Sequence, residues 1–320
     1  MTFFGRDKLI KKIVHLAEDL CPIALIGASG IGKTSIAQVI LHHDKIKQRF
    51  GHGHCFIPCD KFPPSRAHFL RQLSNAVGAG VKKPKDLSPL RAFLSSKEML
   101  IILDNAESML NPQGTYGQEV YAVVEKLSRF SNLCVLITSR VSTIPPDYKL
   151  LDIPPLSMNA ARDIFYLTYR DDSRSDLING ILKQLDLHPI TIELLANVAR
   201  SNGWTIEQLG REWEQMQASM LQTKHNSSLT TAIELSLASP LFRQLDSDAR
   251  AVLEVIAFFP QGVHGRNIGW LFPTIPNRAE ILYTFGVLSL TYWTRLSITM
   301  LAPLRDHLHP MGPKLPPLYA

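Results

Sequence analysis

The first half of the chain alternates short apolar runs with segments whose apolar residues recur at helical spacing. The runs at residues 23–26, 99–103 and 133–137 are continuous, as in strands that are buried on both faces of a parallel sheet. An amphipathic helix is predicted between the last two runs, from Val120, Val123, Val124, Leu127 and Phe130. This order predicts a three-layer α/β/α fold with a parallel sheet over residues 1–155.

Beyond residue 155 the apolar residues recur at helical spacing only. One helix is predicted near 177–185, and Pro189 opens another, because proline is well suited to the first turn of a helix. Thr205 and Gln208 fit a capping box, in which each side chain binds the backbone N–H of the other residue. These features predict a small helical domain over residues 156–215.

The last part of the chain combines helices with two predicted strands. The polar stretch QTKHNSSL indicates a linker, which we place at residues 216–230. A helix around Val252 and Ile256 precedes alternating apolar residues at 288–292 and 296–300, which predict a hairpin. A further domain is therefore expected at 231–309, and the proline-rich end, 310–320, is expected to be disordered.

Length and composition agree with a globular protein of several domains. The 320 residues are 45% hydrophobic and 19% charged, which is enough for two domains or three small ones. No apolar run approaches the roughly 20 residues of a spanning helix, and the N-terminus lacks a signal-peptide pattern. We therefore expect a cytoplasmic protein without a membrane segment. The four cysteines are too few and too widely spaced for a disulfide framework.

A glycine-rich segment, GASGIGKTS, follows the first apolar run and leads into a predicted helix. It fits the pattern G-x-x-x-x-G-K-[ST], in which glycines let successive backbone N–H groups point at phosphate oxygens. The lysine places a positive charge on the β and γ phosphates, and the helix N-terminus attracts the same anion. Residues 1–155 are therefore predicted to be a P-loop nucleotide-binding domain. The candidate nucleotide-binding residues are Gly27, Ala28, Ser29, Gly30, Ile31, Gly32, Lys33, Thr34 and Ser35.

Polar residues end both of the later apolar runs. Asp104 follows the run at 99–103, at the sheet edge where α/β folds bind ligands, and we predict that Asp104 and Thr34 hold Mg²⁺. Arg140 ends the segment LCVLITSR, and its planar donor fork suits a γ-phosphate. Asn105 cannot accept a proton from water, so Glu107 is the nearest candidate for a catalytic base.

The segment HGHCFIPC places His52, His54, Cys55 and Cys59 within eight residues and suggests zinc. Its period-two alternation instead predicts the second strand of the sheet. No second Cys/His pair lies at the spacing of a zinc finger. A structural metal is therefore not expected here.

The ordered set of motifs resembles the nucleotide-binding module of STAND-class NTPases, with its NB-ARC and NACHT relatives. The segments that carry the resemblance are FFGRDKLIKKIV, GASGIGKTSIA, LIILDNAES, LCVLITSR and LDLHPITIELLA. The segments LDNAES, SLASPLF and LAPLRDHL are most similar to basidiomycete fungal members. The resemblance implies a P-loop NTPase fold followed by a helical domain and, over 231–309, a winged-helix domain.

The same resemblance implies roles for individual residues. Arg6 matches the family's N-terminal motif, which lies against adenine, and Pro189 matches a proline of the helical domain that packs on the nucleotide. Asp104 matches the Walker B aspartate, and Arg140 matches the sensor arginine. The implied ligands are ADP or ATP with Mg²⁺.

Three functions are compatible with these motifs. The resemblance implies a signalling switch, in which exchange of ADP for ATP opens the domains and permits self-association, with weak or no hydrolysis. The alternative is an AAA-type ATPase that acts on DNA or protein, with Glu107 as the base. A fragment of a longer multidomain protein is the third, because the chain begins at the N-terminal motif and ends shortly after the winged-helix region. Ala302 also stands where the family's sensor histidine is expected.

A winged helix raises the question of DNA binding. Its segment VHGRNIGWLFPT has one arginine and no lysine. The chain has a net charge of +6, but its lysines and arginines are scattered rather than clustered. Helices that bind in a DNA groove need donors for phosphates and base edges. We therefore do not expect specific DNA binding.

Overall fold

The computed structural model describes residues 4–59, 65–110, 115–170, 176–220, 227–245 and 247–308. These residues form two compact units. The first unit is Arg6–Pro154, and the second unit comprises the described residues of Met1–Gly5 and Pro155–Ala320. None of the described helices has the length and apolar character needed to cross a membrane.

The first unit is built on a five-stranded sheet in the order β2-β3-β4-β1-β5, and every pair of neighbouring strands is parallel. The strands are β1 Ile23–Ile26, β2 His54–Pro58, β3 Met99–Asp104, β4 Leu133–Ser139 and β5 Lys149–Asp152. The helices are α1 Asp7–Glu18, α2 Lys33–His42, α3 Asp44–Phe50, α4 Arg66–Val77, α5 Ser88–Leu94 and α6 Thr115–Ser128. The predicted α/β fold with a parallel sheet is confirmed.

Both faces of this sheet are covered, because every residue of β1, β3 and β4 is buried. Ile101 and Leu103 belong to a core cluster with α4, α5 and α6, whereas the alternate residues Leu100 and Ile102 point to the opposite face. Helix α1 contacts β1, and helix α2 contacts β3. Continuous apolar runs, rather than alternating ones, follow from this burial on two sides.

The strand register aligns the carboxyl ends that carry the predicted polar residues. Leu103 lies opposite Ile137, and Ile26 lies opposite Ser139. The chain therefore leaves β1, β3 and β4 at the same edge of the sheet, immediately before Gly27, Asn105 and Arg140. This edge is where an α/β sheet positions residues for a ligand.

The second unit consists of ten helices and a small antiparallel sheet in the order β6-β8-β7 within its described residues. Its large fully buried side chains include Phe165, Trp213, Phe272 and Phe285, which belong to one core cluster. The helices are α7 Met158–Tyr169, α8 Ile178–Gln184, α9 Pro189–Ser201, α10 Ile206–Met220, α11 Ser228–Ala238, α12 Pro240–Arg243, α13 Ala249–Phe258, α14 Ile268–Leu271, α15 Arg278–Val287 and α16 Ala302–Leu308. The strands are β6 Val263–His264, β7 Tyr292–Trp293 and β8 Ser297–Thr299.

The capping box predicted at the start of α10 is confirmed. The Thr205 N–H donates to Oε1 of Gln208 over 2.8 Å, and the Gln208 N–H donates to Oγ1 of Thr205 over 3.2 Å. Two N–H groups at the helix start are therefore satisfied by side chains. Pro189 is the first residue of α9, as predicted.

The region predicted as a linker, 216–230, is helical at both ends. Helix α10 continues to Met220, because Met216 still packs against the core of the second unit. Helix α11 begins at Ser228, and Oγ of Ser227 accepts the N–H of Thr230 over 3.1 Å. Only residues 221–226 of the predicted linker lie outside the described residues.

The predicted hairpin is present but shorter than expected. Strands β7 and β8 pair antiparallel, yet Leu288 and Leu290 precede β7. The N–H groups of these two leucines donate to the carbonyls of Thr284 and Phe285 in α15, and both side chains are buried. The apolar alternation at 288–292 therefore arises partly from a helix end. The tail predicted at 310–320 lies outside the described residues.

A hydrogen-bonded pair connects the last helix, α16, to α11. Oε1 of Glu234 lies 2.8 Å from Nε2 of His307, and both side chains are partly buried. The hydrogen bond from His307 lowers the pKa of Glu234 below its ordinary value of 4.5, burial opposes this effect, and the charges of His307 and Arg250 add to it. The pair thus favours the ionised carboxylate in the folded chain.

We predict that Glu234→Gln lowers the free energy of unfolding by about 1 kcal/mol near neutral pH. Because the folded-state pKa of Glu234 is below the unfolded value, its contribution is present above pH 4.5 and is lost as the pH falls through the folded-state pKa. Urea titrations from about pH 6 to about pH 3.5 should show the two proteins converging in acid. A stability difference that stays constant over this range would contradict the assignment, and the exposed Glu214→Gln serves as the control.

Candidate functional site

The glycine-rich loop connects the end of β1 to the first turn of α2. Gly30 and Gly32 have φ angles of 79° and 99°, in the left-handed region that side chains other than glycine rarely adopt. A Cβ at Gly27 would lie 3.1 Å from Cγ2 of Ile31, whose own side chain is buried under the loop. The loop conformation therefore depends on these three glycines. Ser29 and Ser35 are half-buried along the same turn, and Ala28 is exposed.

Lys33 is buried and folds back over the loop that precedes it. Its Nζ donates to the carbonyl oxygens of Gly27 over 2.8 Å and of Ala28 over 2.9 Å. Burial lowers the pKa of Lys33, while the charges of Glu107 and Asp104 raise it and that of Arg140 lowers it. The lysine ammonium thus lies within electrostatic range of all three predicted charged residues at the sheet edge.

Thr34 and Asp104, the two residues predicted to hold Mg²⁺, are in direct contact. Oγ1 of Thr34 lies 2.9 Å from Oδ1 and 3.0 Å from Oδ2 of Asp104, which is only 3% exposed. The residues come from α2 and β3, seventy positions apart, and the parallel sheet brings them together. A carboxylate beside a hydroxyl is the oxygen donor set that Mg²⁺ prefers, so the residues present fit a magnesium-bound nucleotide.

Thr138 is a member of this cluster that the sequence analysis missed. Its Oγ1 donates to Oδ1 of Asp104 over 2.6 Å and accepts the N–H of Asn105 over 2.9 Å. Thr138 is fully buried near the end of β4, next to β3 in the sheet. Its position at the end of an apolar run, two residues before Arg140, is the feature of the sequence that could have indicated a role in the site. This threonine orients the aspartate and the turn that follows it.

Asn105 has a conformational role in addition to its lack of a carboxylate. Its φ angle is 56°, and it begins a 3-10 turn over Ala106–Ser108. Asparagine tolerates this left-handed conformation better than most residues. The asparagine after Asp104 is therefore explained by the sharp turn that the chain makes on leaving β3, whether or not the protein hydrolyses nucleotide.

Glu107 and Arg140 form an ion pair with each other. Oε1 of Glu107 lies 2.8 Å from Nε of Arg140, and the glutamate side chain is 12% exposed, compared with 38% for the arginine. Oε2 of Glu107 is buried and has no hydrogen-bond partner among the described residues. The candidate base and the candidate sensor are thus bound to each other, and Lys33 is also within electrostatic range of the glutamate.

Arg6 lies beside the glycine-rich loop in the first unit. Its Nη2 donates to the carbonyl of Pro154 over 3.1 Å, and a Cβ at Gly32 would lie 3.2 Å from its Nη1. Nε of Arg6 is buried without a partner among the described residues, and burial lowers the pKa of the guanidinium. Pro189, the other residue predicted on family resemblance, belongs to the second unit.

The cysteines and histidines near β2 do not form a metal centre in the described part of the chain, where no group of three or more His, Cys, Asp or Glu residues is placed to hold a metal ion. Burial raises the pKa of Cys55 to about 12, which keeps its thiol protonated. Cys59 is buried, and its Sγ contacts the carbonyl of Ile57. The strand predicted for this segment is β2.

Comparison with known proteins places this arrangement among STAND sequences. The model of the Novel STAND NTPase 1 family matches residues 1–193, which include the glycine-rich loop, Asp104, Arg140 and Pro189. The match extends beyond the first unit into the helices of the second.

Two proteins of Solanum bulbocastanum are similar over most of the chain. RGA1 is 22% identical over 280 residues, and RGA2, named as a disease resistance protein, is 22% identical over 281 residues. Each alignment covers 81% of this chain and 27% of the plant protein. The chain thus spans about a quarter of the length of these relatives.

A solved structure shares the fold. The STAND protein with a tetratricopeptide repeat sensor PH0952 from Pyrococcus horikoshii is similar over 96% of this chain and 42% of that chain, with a TM-score of 0.58. The two sequences are 14% identical, so the likeness concerns the fold alone.

Proposed function

Because the chain belongs to the Novel STAND NTPase 1 family, we propose that it is a signalling NTPase that switches between ADP-bound and ATP-bound states. In this proposal, exchange of ADP for ATP opens the molecule and permits self-association, and hydrolysis is slow or absent. The observation that carries the proposal is the convergence of Lys33, Thr34 and Asp104 at the glycine-rich loop.

In this proposal, residues of the first unit bind the magnesium-bound nucleotide. The backbone N–H groups of residues 27–32 would bind phosphate oxygens, and Thr34 with Asp104 would hold Mg²⁺, which neutralises phosphate charge when bound. Lys33 already points over the loop, so its ammonium would exchange the carbonyls of Gly27 and Ala28 for phosphate oxygens. Arg6 lies beside Gly32 and would contact the nucleoside.

Discrimination between ADP and ATP requires a group that contacts only the γ-phosphate. Arg140 is the candidate, and Glu107 now binds its guanidinium. A γ-phosphate would compete with this carboxylate for the arginine, whereas ADP would leave the ion pair intact. A ligand shifts a conformational equilibrium only through such a difference in contacts.

The second unit is proposed to hold the ADP-bound state closed. We assign residues 156–215 to a helical domain that would contact nucleotide through Pro189, and residues 231–309 to a winged-helix domain. We further propose a cytoplasmic location, a nucleotide-dependent homo-oligomer and no specific DNA binding. The relatives above come from a plant and an archaeon, and the basidiomycete affinity stays a prediction.

The alternative function, an AAA-type ATPase acting on DNA or protein, depends on Glu107 as the base that activates water. The structure instead has Oε1 of Glu107 on Arg140, which makes this carboxylate a weaker candidate for the task. An energy-using ATPase needs rapid turnover, so the two functions differ in the expected consequence of one substitution.

We predict that Glu107→Gln leaves a low turnover unchanged and raises the affinity for ATP about two- to fivefold, with ADP affinity unaffected. The reason is that the neutral amide competes less well than the carboxylate for Arg140. Steady-state phosphate release and fluorescent-nucleotide titrations would measure both effects. Arg140→Ala is the matched variant, in which the contact that is specific to ATP should be lost. Rapid turnover that Glu107→Gln abolishes would establish the ATPase in place of the switch.

A further inference from the structure

A positively charged cavity lies within the first unit, away from the glycine-rich loop. Its volume is about 710 Å³, within the range of about 300–1,000 Å³ that is typical of small-molecule sites. It is lined by residues of α4, α5, α6 and the loops beside them, including Phe130 and Leu87. The cavity therefore combines the size of a ligand site with some apolar wall.

Four cations and one carboxylate line this cavity. The cations are Arg66, Arg91, Lys126 and Arg129, and the carboxylate is Asp86. Ser88 lowers the pKa of Asp86 through hydrogen bonds to its carboxylate, and the charges of Arg66 and Lys126 contribute to the shift. Arg66 and Lys126 therefore lie within electrostatic range of this carboxylate, and four cations against one carboxylate leave the lining positive.

Among the described residues, only one of these four cations forms an ion pair. Arg129 pairs with Glu125 over 2.8 Å. Within the described part of the chain, Arg91 and Lys126 form no ion pair, and Nε of Arg66 is buried without a hydrogen-bond partner. A buried guanidinium nitrogen that lacks an acceptor is costly unless a ligand or solvent supplies one.

One wall of the cavity is fixed in place. Asn132 also lines it, and its Nδ2 donates to the carbonyls of Leu94 over 2.5 Å and of Lys97 over 2.6 Å. These contacts join the end of α5 to the start of β4. The backbone on this side of the cavity is therefore held in place, which reduces the ordering that a ligand would have to impose there.

The cavity is separate from the nucleotide site because it lies at the opposite ends of the strands. Ser95 and Asn132 precede β3 and β4, whereas Asp104 and Arg140 follow them. Strands of six and seven residues at about 3.3 Å per residue separate these edges by roughly 20 Å. A molecule in the cavity would therefore not contact the glycine-rich loop.

We propose that this cavity binds a small molecule that carries several phosphate groups. Multiple phosphates match the four cations, and the volume admits a small molecule with a compact apolar or ring portion against Phe130. This proposal does not depend on the nucleotide switch, and the two can be tested separately.

The test is isothermal titration calorimetry of the full chain with inorganic tripolyphosphate, in EDTA and with saturating ADP. The ADP is added to occupy the proposed nucleotide site at the glycine-rich loop, so that the probe reports the cavity. Binding should weaken about tenfold or more in a double variant, Arg91→Gln with Lys126→Gln, because both exposed side chains lose charge. The matched control is Lys12→Gln with Lys47→Gln, which removes two exposed charges outside the cavity and should change affinity less than about twofold.

Removal of the one carboxylate in the lining should have the opposite effect on affinity. Asp86→Asn should strengthen tripolyphosphate binding about two- to fivefold, since asparagine keeps an acceptor for the Ser88 N–H but removes the negative charge. The proposal would be overturned by absence of binding in the presence of ADP, by equal losses in the two double variants, or by binding of a phosphoserine peptide in preference to tripolyphosphate.

Discussion

Replacement of Lys33 by alanine is expected to lower the affinity for ADP by at least about 100-fold. Each charge-assisted hydrogen bond is worth about 1.5–3 kcal/mol, and Lys33 would contact phosphate through more than one N–H. The structure adds a reason that the sequence motif does not supply. Lys33 is nearly fully buried beside the loop, so its charge acts on phosphate without much solvent screening.

Two controls make this result interpretable. Lys33→Met keeps the aliphatic stem that fills the buried space, so its loss of affinity reports the missing ammonium even if the alanine variant folds poorly. Lys47→Ala removes an exposed charge on the neighbouring helix and should bind ADP normally. The binding proposal fails if Lys33→Met folds like the wild type and retains its ADP affinity in fluorescence anisotropy.

Asp104→Asn is expected to remove most of the Mg²⁺ dependence of ATP binding, at least about tenfold in affinity. The amide oxygen can still accept the hydroxyl groups of Thr34 or Thr138, but it carries no charge for the cation. Asp104→Ala should in addition lower the free energy of unfolding by about 2–4 kcal/mol, because two hydroxyl groups lose their acceptor in a buried site.

The measurement is ATP affinity with Mg²⁺ and with EDTA, together with urea denaturation of each variant. Asp152→Asn is the matched control, since Asp152 also ends a strand of the sheet but is exposed. An asparagine variant whose ATP affinity responds to Mg²⁺ as the wild type does would show that Asp104 holds a structural position only.

Local patterns predicted the parts of the site that depend on neighbouring residues. The strand, glycine loop and helix around residues 23–42 follow from a buried apolar run, positive φ angles and helical spacing. The capping box at Thr205 is local for the same reason. In each case the interacting residues lie within a few positions of one another.

Other features depend on the register of distant strands, which the sequence alone does not show. The hydrogen bond from Thr138 to Asp104 and the ion pair between Glu107 and Arg140 each join residues more than thirty positions apart. Both exist because β3 and β4 are neighbours with aligned ends. The positive φ angle of Asn105 likewise arises from the turn after β3, and the residue types around Asn105 do not show it.

In the second unit, side-chain packing explains where the observed helices and strands differ from the predicted ones. Polar residues around 216–230 suggested a linker, but the apolar contact of Met216 extends α10 into that region. Leu288 and Leu290 suggested a strand by alternation, although both leucines are buried at the end of α15. A short apolar alternation fits a strand and a capped helix end equally well, and tertiary contacts decide between them.

The nucleotide switch is tested most directly by the size of the purified protein with each nucleotide. The bound nucleotide would be extracted and identified by chromatography, and the chain would then be exchanged into ADP or into a non-hydrolysable ATP analogue with Mg²⁺. Light scattering after size exclusion should give a monomer with ADP and a larger assembly with the analogue. Identical masses in the two states, in a protein that binds both nucleotides, would contradict the switch.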